Sequence, residues 1–431
     1  MMKRLISILL ICVLAIGLCA CGDLSNIELP PLPTVTPEVV ETTAEPTVEP
    51  TAEPAVEESS AGQVIVSVKN TTEQAYDPQD GSRLILSFSY DTPTVYIENN
   101  DDAADKINER LAIMNEAFYT GNDYGDGAVG FGYNDMLTIA EDNFNVVTEN
   151  QIEGAMLEMS SSYTASVKRN DGKVLTVLYG NYTFTGGAHG SYCTRGYSFD
   201  VSTGELLTLD DLSSDADALK SALVEYMVNA VSNDGNLATQ IDLIYDHHDM
   251  ESVLEPLLRQ GSWYFDENGM VIFSDLYEIS SYAAGPVYFN IPYSEFENFI
   301  DIDSKWLPDE ISDNGSISAV TEDNMTDGSV AIIDKLVVDA EGEQLYLVAN
   351  GSVRDVEVCY GQFADSFYST ENLWYCSSLD SSALQLVASI PEGLPDLQIS
   401  YYDAEGQHQL YLTHSGEDGS VILSDSVEAV G

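Results

Sequence analysis

The chain changes material at about residue 62, and that break decides how much of it can fold. Gly22 to Ala61 carries Pro at 30, 31, 33, 37, 46, 50 and 54, set among Thr, Val and Glu, with no Lys or Arg. The near-repeat Ala44-Glu45-Pro46-Thr47-Val48-Glu49-Pro50-Thr51-Ala52-Glu53-Pro54 is of low complexity. Proline fixes φ and removes a donor, and the glutamates repel one another, so residues 21–61 read as an extended Pro/Thr/Glu-rich linker.

Ahead of the linker, Lys3 and Arg4 precede an uncharged apolar run from Leu5 to Ala20. The run is short for a bilayer span, which takes about 20 residues. It ends in Leu18-Cys19-Ala20-Cys21, a small residue followed by cysteine. Residues 1–20 therefore read as a signal peptide, and the Ala20-Cys21 junction resembles a bacterial lipobox. That resemblance implies that Cys21 is lipidated and becomes the first mature residue, because its thiol can form the thioether. The expected address is the outer face of a bacterial cytoplasmic membrane, held by acyl chains rather than by a span.

From Val64 on, short alternating strands and two kinds of helical spacing appear. Ile107, Leu111, Met114 and Phe118 recur at helical intervals within Asp101–Tyr119, and Asn134–Val147 repeats the pattern. Leu157–Arg169 and Val174–Thr183 flank Asn170-Asp171-Gly172, a hairpin turn, and Ser191–Asp200 follows as a third strand. Helices are expected at Asp215–Asn233 and Leu237–Gln260, a hairpin around Asn268-Gly269, a strand at Val287–Ile291 and a short helix at Tyr293–Ile300. Separate strands are expected at Arg83–Tyr90 and Thr94–Glu98. Without β-α alternation this pattern predicts an α+β domain with antiparallel sheet over 62–306. A second break at Leu307–Ser318 precedes short strands only, separated by Glu341-Gly342, Asn350-Gly351 and Glu405-Gly406. Residues 316–431 therefore read as an all-β, immunoglobulin-like sandwich domain.

Asp and Glu total 72 against 15 Lys and Arg, a net charge of −57. This disfavours nucleic acid, whose binding needs clustered cations, and favours a cationic partner. No Gly-x-Ser-x-Gly, His-Glu-x-x-His or phosphate-binding loop occurs, and no cofactor or metal site is expected. His247-His248, beside Asp246 and Asp249, reads as a solvated surface. His408 and His414 are a weak metal pair, and Asp123 and Asp126 fit no calcium loop. Cys359 and Cys376 share the β-rich block of an exported chain, which makes them candidates for a disulfide. Cys193 is left as a lone strand thiol. Tyrosines number 25, and with Trp263, Trp306 and Trp374 they are candidates to line a glycan or protein contact, many of them being simply core instead.

Several motifs occur in order: Tyr182-Thr183-Phe184-Thr185-Gly186-Gly187-Ala188-His189-Gly190, Tyr197-Ser198-Phe199-Asp200, Thr203-Gly204-Glu205 through Leu212, Asn268-Gly269 through Phe273, Tyr277-Glu278-Ile279-Ser280-Ser281-Tyr282-Ala283-Ala284-Gly285, and Ile291-Pro292-Tyr293. Over about residues 64 to 300 this series resembles the extracytoplasmic domain family found in the lysozyme-sensing anti-sigma factor RsiV and in the non-catalytic region of the peptidoglycan deacetylase PdaC. The resemblance implies an α+β domain outside the membrane that binds wall-related partners without chemistry of its own. The expected role is a lipid-anchored, non-catalytic binding protein for a cationic protein of the lysozyme-like muramidase kind, or for cell-wall glycan (peptidoglycan). A wall-modifying enzyme with carboxylate catalysts and a structural adhesion module are the alternatives. The motifs place the expected binding residues at His189, Tyr192, Tyr277, Glu278, Tyr282 and Gly285.

Overall fold

A computed structural model describes residues 62–425 apart from 79–80, 123–130, 151–157, 246–248, 300–301, 311–313, 322–331, 338–342, 364–366, 381–382, 389–396 and 415–420. The signal peptide, Cys21 and the linker lie outside the described residues, as do His247, His248, Asp123 and Asp126. No described helix is long and apolar enough to cross a membrane.

Five strands open the fold: β1 (Val64–Tyr76), β2 (Leu84–Ile97), β3 (Met159–Asn170), β4 (Val174–Phe184) and β5 (Ser191–Asp200). Helices α1 (Asp101–Thr120) and α2 (Tyr133–Glu149) lie between β2 and β3. The Asn100 side chain accepts from Ala103 N–H, and two acids in the first turn of α1 suit the helix dipole. Ile107, Leu111, Met114 and Phe118 all face one core, with Val64, Val66, Phe88, Tyr163 and Tyr179 from the strands.

The two strands expected at 83–90 and 94–98 are one strand, β2, paired with β1 throughout. Pro93 is tolerated inside it because β3 pairs only with Leu86–Tyr90, so beyond that stretch this edge has no ladder bond for proline to break. The β2–β3 pairing is parallel. The sheet is therefore mixed, where antiparallel pairing was expected, because α1 and α2 carry the chain back to the same end before β3 begins.

Residues 207–307 form a second core. Helix α3 (Ala216–Asn233) packs with a three-stranded antiparallel sheet of β6 (Trp263–Phe265), β7 (Gly269–Phe273) and β8 (Tyr288–Pro292). The helix expected over Leu237–Gln260 is interrupted. It appears as Gly235–Tyr245, Met250–Leu254 and a 3₁₀ turn at Glu255–Leu258, the last starting next to Pro256, which cannot donate to a continuing helix. β6 docks on β5 through a backbone bond from Gly196 N–H to Gly261 O at 2.9 Å. A Cβ on Gly196 would lie 2.7 Å from the Cβ of Tyr264, so only glycine lets the two strands approach.

The remaining strands are β9 (Ser316–Val320), β10 (Ile332–Val337), β11 (Glu343–Asn350), β12 (Ser352–Phe363), β13 (Phe367–Asp380), β14 (Ala383–Ala388), β15 (Leu397–Asp403), β16 (Gly406–His414) and β17 (Val421–Ser424). Four of them form a sheet in the order β10-β14-β11-β9, with β10 and β14 parallel. The others extend the first sheet, whose full order is β17-β16-β15-β12-β13-β1-β2-β3-β4-β5. The seam is the β1–β13 pair, Ile65 opposite Cys376 and Val66 opposite Tyr375. Strand alternation explains how one seam serves two cores. Ile65, Trp374 and Cys376 face the layer between the two sheets, whereas Val66 and Tyr375 face the helices. The C-terminal strands thus form two packed layers, and the larger layer continues unbroken into β1.

Candidate functional site

The loop from β4 to β5 and the segment from β7 to β8 meet at the edge of β5. The His189 ring stacks on Tyr282 with centroids 3.8 Å apart and planes 23° from parallel. His189 Nδ1 lies 3.0 Å from Gly190 O, and the Tyr282 hydroxyl donates to the same oxygen at 3.1 Å. A Cβ on Gly190 would fall 2.4 Å from the Tyr182 ring, so a side chain there would have to displace that ring. The Tyr277 ring lies 5.7 Å from Tyr282 and is 55% exposed.

Tyr277 is the third residue of a turn closed by Glu278 N–H to Asp275 O at 3.3 Å, and its φ is +63°. That position normally belongs to glycine or asparagine, so a bulky tyrosine there is strained. Charges brace the turn. Arg195, buried in β5, donates to Asp275 at 2.6 Å. Burial alone would lower the Arg195 pKa, but Asp275 beside it more than offsets this and raises it. Asp275 also accepts from Thr194 N–H at 3.2 Å, and Glu278 accepts from Asp275 N–H at 2.8 Å and from both terminal nitrogens of Arg259. Two arginines thus answer two carboxylates, and the aromatic cluster sits over a neutral base.

Of the six expected residues, His189, Tyr277 and Tyr282 come together. Glu278 is turned inward as a brace. Gly285 closes the 3₁₀ turn at Tyr282–Ala284 with φ +78° and its carbonyl accepts from the Ser280 hydroxyl, a folding role. Tyr192 lies opposite Tyr182 across β4–β5, both about two-fifths exposed, and Tyr192 stands close enough to Tyr288 to affect the ionisation of Tyr288. Burial, then this neighbour, raises the Tyr288 pKa. Tyr182, Tyr288, Arg195, Asp275 and Arg259 were not singled out from sequence. Arg195 had a usable signal: in a chain with 15 cations, an Arg inside a strand is worth asking about.

Other expectations are corrected. Trp263, Trp306 and Trp374 are buried core residues rather than contact surface, because the two cores close over them. No disulfide joins Cys359 to Cys376. Cys359 is opposite Asn372 and Cys376 is opposite Val356. The two are offset by three residues along the strands, about 10 Å, beyond the roughly 7 Å limit for a bridge. Burial instead pushes the Cys376 thiol up to about 12. His408 bonds Asp403 at 2.8 Å and stacks on Tyr401. Its proton and two backbone N–H groups hold the Asp403 pKa down against the opposing effect of burial. The His414 side chain lies outside the described residues. Among the described residues no group of three or more His, Cys, Asp or Glu side chains could hold a metal ion.

Residues 210–294 match the DUF3298 family, described as a protein of unknown function. The DUF3298 match includes Arg259, Asp275, Tyr277, Glu278 and Tyr282, whereas His189, Tyr192 and Arg195 precede it. Among solved structures, the chain is similar to a DUF3298 family member from Bacteroides fragilis, at 20% identity, covering 56% of this chain and 94% of that one with a TM-score of 0.38. It is also similar to a DUF3298 family protein from Pseudomonas aeruginosa, at 17% identity, covering 57% and 97% with a TM-score of 0.35. Comparison with curated proteins gives no match.

Proposed function

We propose that this chain is a non-catalytic binding protein, held at the outer face of a bacterial cytoplasmic membrane by acyl chains on Cys21, whose aromatic cluster takes a cell-wall glycan. The observation that carries the reading is the Tyr277–Tyr282–His189 group, with Tyr277 and His189 exposed and Tyr277 in a turn braced by paired charges. Aromatic rings with hydroxyl edges and no net charge suit a neutral, hydroxyl-rich ligand. A cationic protein such as a lysozyme-like muramidase is the second reading, favoured by the net charge of −57 and by steering over the whole surface. In either case the linker supplies reach, and the C-terminal strands, read as an immunoglobulin-like sandwich, act as a rigid support.

The test is titration of the full-length protein against purified peptidoglycan and against a lysozyme, at low salt and at about 0.15 M, where the Debye length is roughly 8 Å. Saturable peptidoglycan binding that ignores salt supports the glycan reading. Saturable 1:1 lysozyme binding that survives 0.15 M supports the second. Binding to neither removes both.

A further inference from the structure

The turn of the β6–β7 hairpin, Asp266-Glu267-Asn268, reaches away from its own core to the C-terminal strands. The Glu267 carboxylate accepts a hydrogen bond from Tyr402 on β15. It also lines a polar cavity of about 20 Å³ with Asn170, Asp355, Glu357 and Ser400, room for about one water.

Across that cavity stands Asp355 of β12, with its side chain 6% exposed. Its φ is +49°, a left-handed conformation rare outside glycine. The β12–β15 register slips between Arg354 and Glu357, so Asp355 sits in a bulge that re-aims its side chain. The carboxylate accepts from Asn170 N–H at 3.1 Å, at the end of β3, and lies 3.2 Å from Arg354 Nε. Four separate stretches of chain therefore converge on two carboxylates.

The charged surroundings do not balance. The hairpin brings Asp266 and Glu267. The end of β3 brings Lys168 and Arg169, the turn after it Asp171, and β12 brings Arg354, Asp355 and Glu357. Tyr375 and Cys376 from β13 and Tyr402 from β15 also line the cavity. Arg169 is committed elsewhere, to Asp171 at 2.7 Å and to the Tyr293 hydroxyl at 2.7 Å. Burial first, and then Glu267, holds the Asp355 pKa well above the usual carboxylate range. Burial also raises that of Glu267, against the Tyr402 hydrogen bond, with Asp266 and Glu357 adding to the rise.

We propose that Glu267 and Asp355 form an acid-tightened joint, in which proton uptake by the pair latches the β6–β7 hairpin to the C-terminal strands and proton loss loosens it. The latch bears on ligand binding because β7 runs directly into Ser274–Gly285, which carries Tyr277 and Tyr282. The sign follows from the raised values. The folded state holds protons that the unfolded chain releases near pH 4. The joint's contribution is complete below that pH and is lost as pH rises through the folded values.

The experiment compares the melting temperature of the full-length wild type, Glu267→Gln and Asp355→Asn from pH 4.5 to 8, with hydrogen exchange of residues 263–273 at both ends. Comparison with wild type cancels the general repulsion of an acidic chain. The expected result is a flatter profile for each variant, crossing wild type and exceeding it by about 2–4 °C at pH 8. Hairpin amides should be better protected in the variants at that pH. If Asp355→Asn fails to fold, Glu267→Gln, at a partly exposed turn position, carries the test alone. Profiles parallel to wild type across the range, or variants less stable than wild type at pH 8, overturn the proposal.

Discussion

Among the described residues Asn99, Tyr277 and Asp355 are the non-glycine residues in the left-handed region, and the last two are opposites in charge and exposure. At Asp275–Glu278 the strained residue is Tyr277, exposed, over two carboxylates matched by Arg195 and Arg259. At the β12 bulge it is Asp355, buried among more carboxylates than cations. Local backbone strain persists only where surrounding structure fixes it. In the first turn, paired charges fix the backbone and leave a neutral ring free for contact. In the second, packing fixes the backbone and leaves a charge imbalance that protons can relieve. Similar strain thus marks a binding surface in one place and a titrating joint in the other.

The comparison breaks most sharply at Arg195. Arg195→Ala leaves Asp275 half-buried without its main partner, and loss of about 3–5 kcal/mol in denaturant unfolding is expected. A loss under about 1 kcal/mol would mean that the brace is ornamental. Tyr277→Ala should weaken glycan binding at least about tenfold, roughly 1.4 kcal/mol, in the peptidoglycan titration while melting is unchanged. Tyr277→Asn separates strain from contact: stability should rise by roughly 0.5–1 kcal/mol because asparagine tolerates this φ, while binding falls as for alanine. Unchanged affinity in both would move the ligand away from this ring. The smallest effect belongs to the thiols. Reductant should leave the melting temperature unmoved, whereas a Cys359–Cys376 bridge would add about 2–4 kcal/mol whose loss would be visible.

Much of the fold was legible because its signals are local. Asn170-Asp171-Gly172 turns β3 into β4, and the apolar spacing of α1 names its buried face. The site was half legible. His189, Tyr277 and Tyr282 lie in the motif segments, yet nothing in their spacing says that a β4–β5 loop residue stacks on a ring more than ninety positions later. The misreadings share a cause. Cys359 and Cys376 were paired by compartment and proximity in sequence, but register decides which side chains face each other. The three tryptophans were offered as surface because burial depends on which layers close over them.

The sequence by itself determined which segments alternate or coil and that the molecule is strongly acidic, since each of these depends only on residue type and order. Tertiary structure alone decided that β13 pairs with β1, so that one sheet runs through the composition break at 307–318. It alone decided which four carboxylates are matched or stranded at Asp275, Glu278, Glu267 and Asp355. Pairing partners and desolvation are set by what arrives from distant parts of the chain, and no local pattern encodes that arrival.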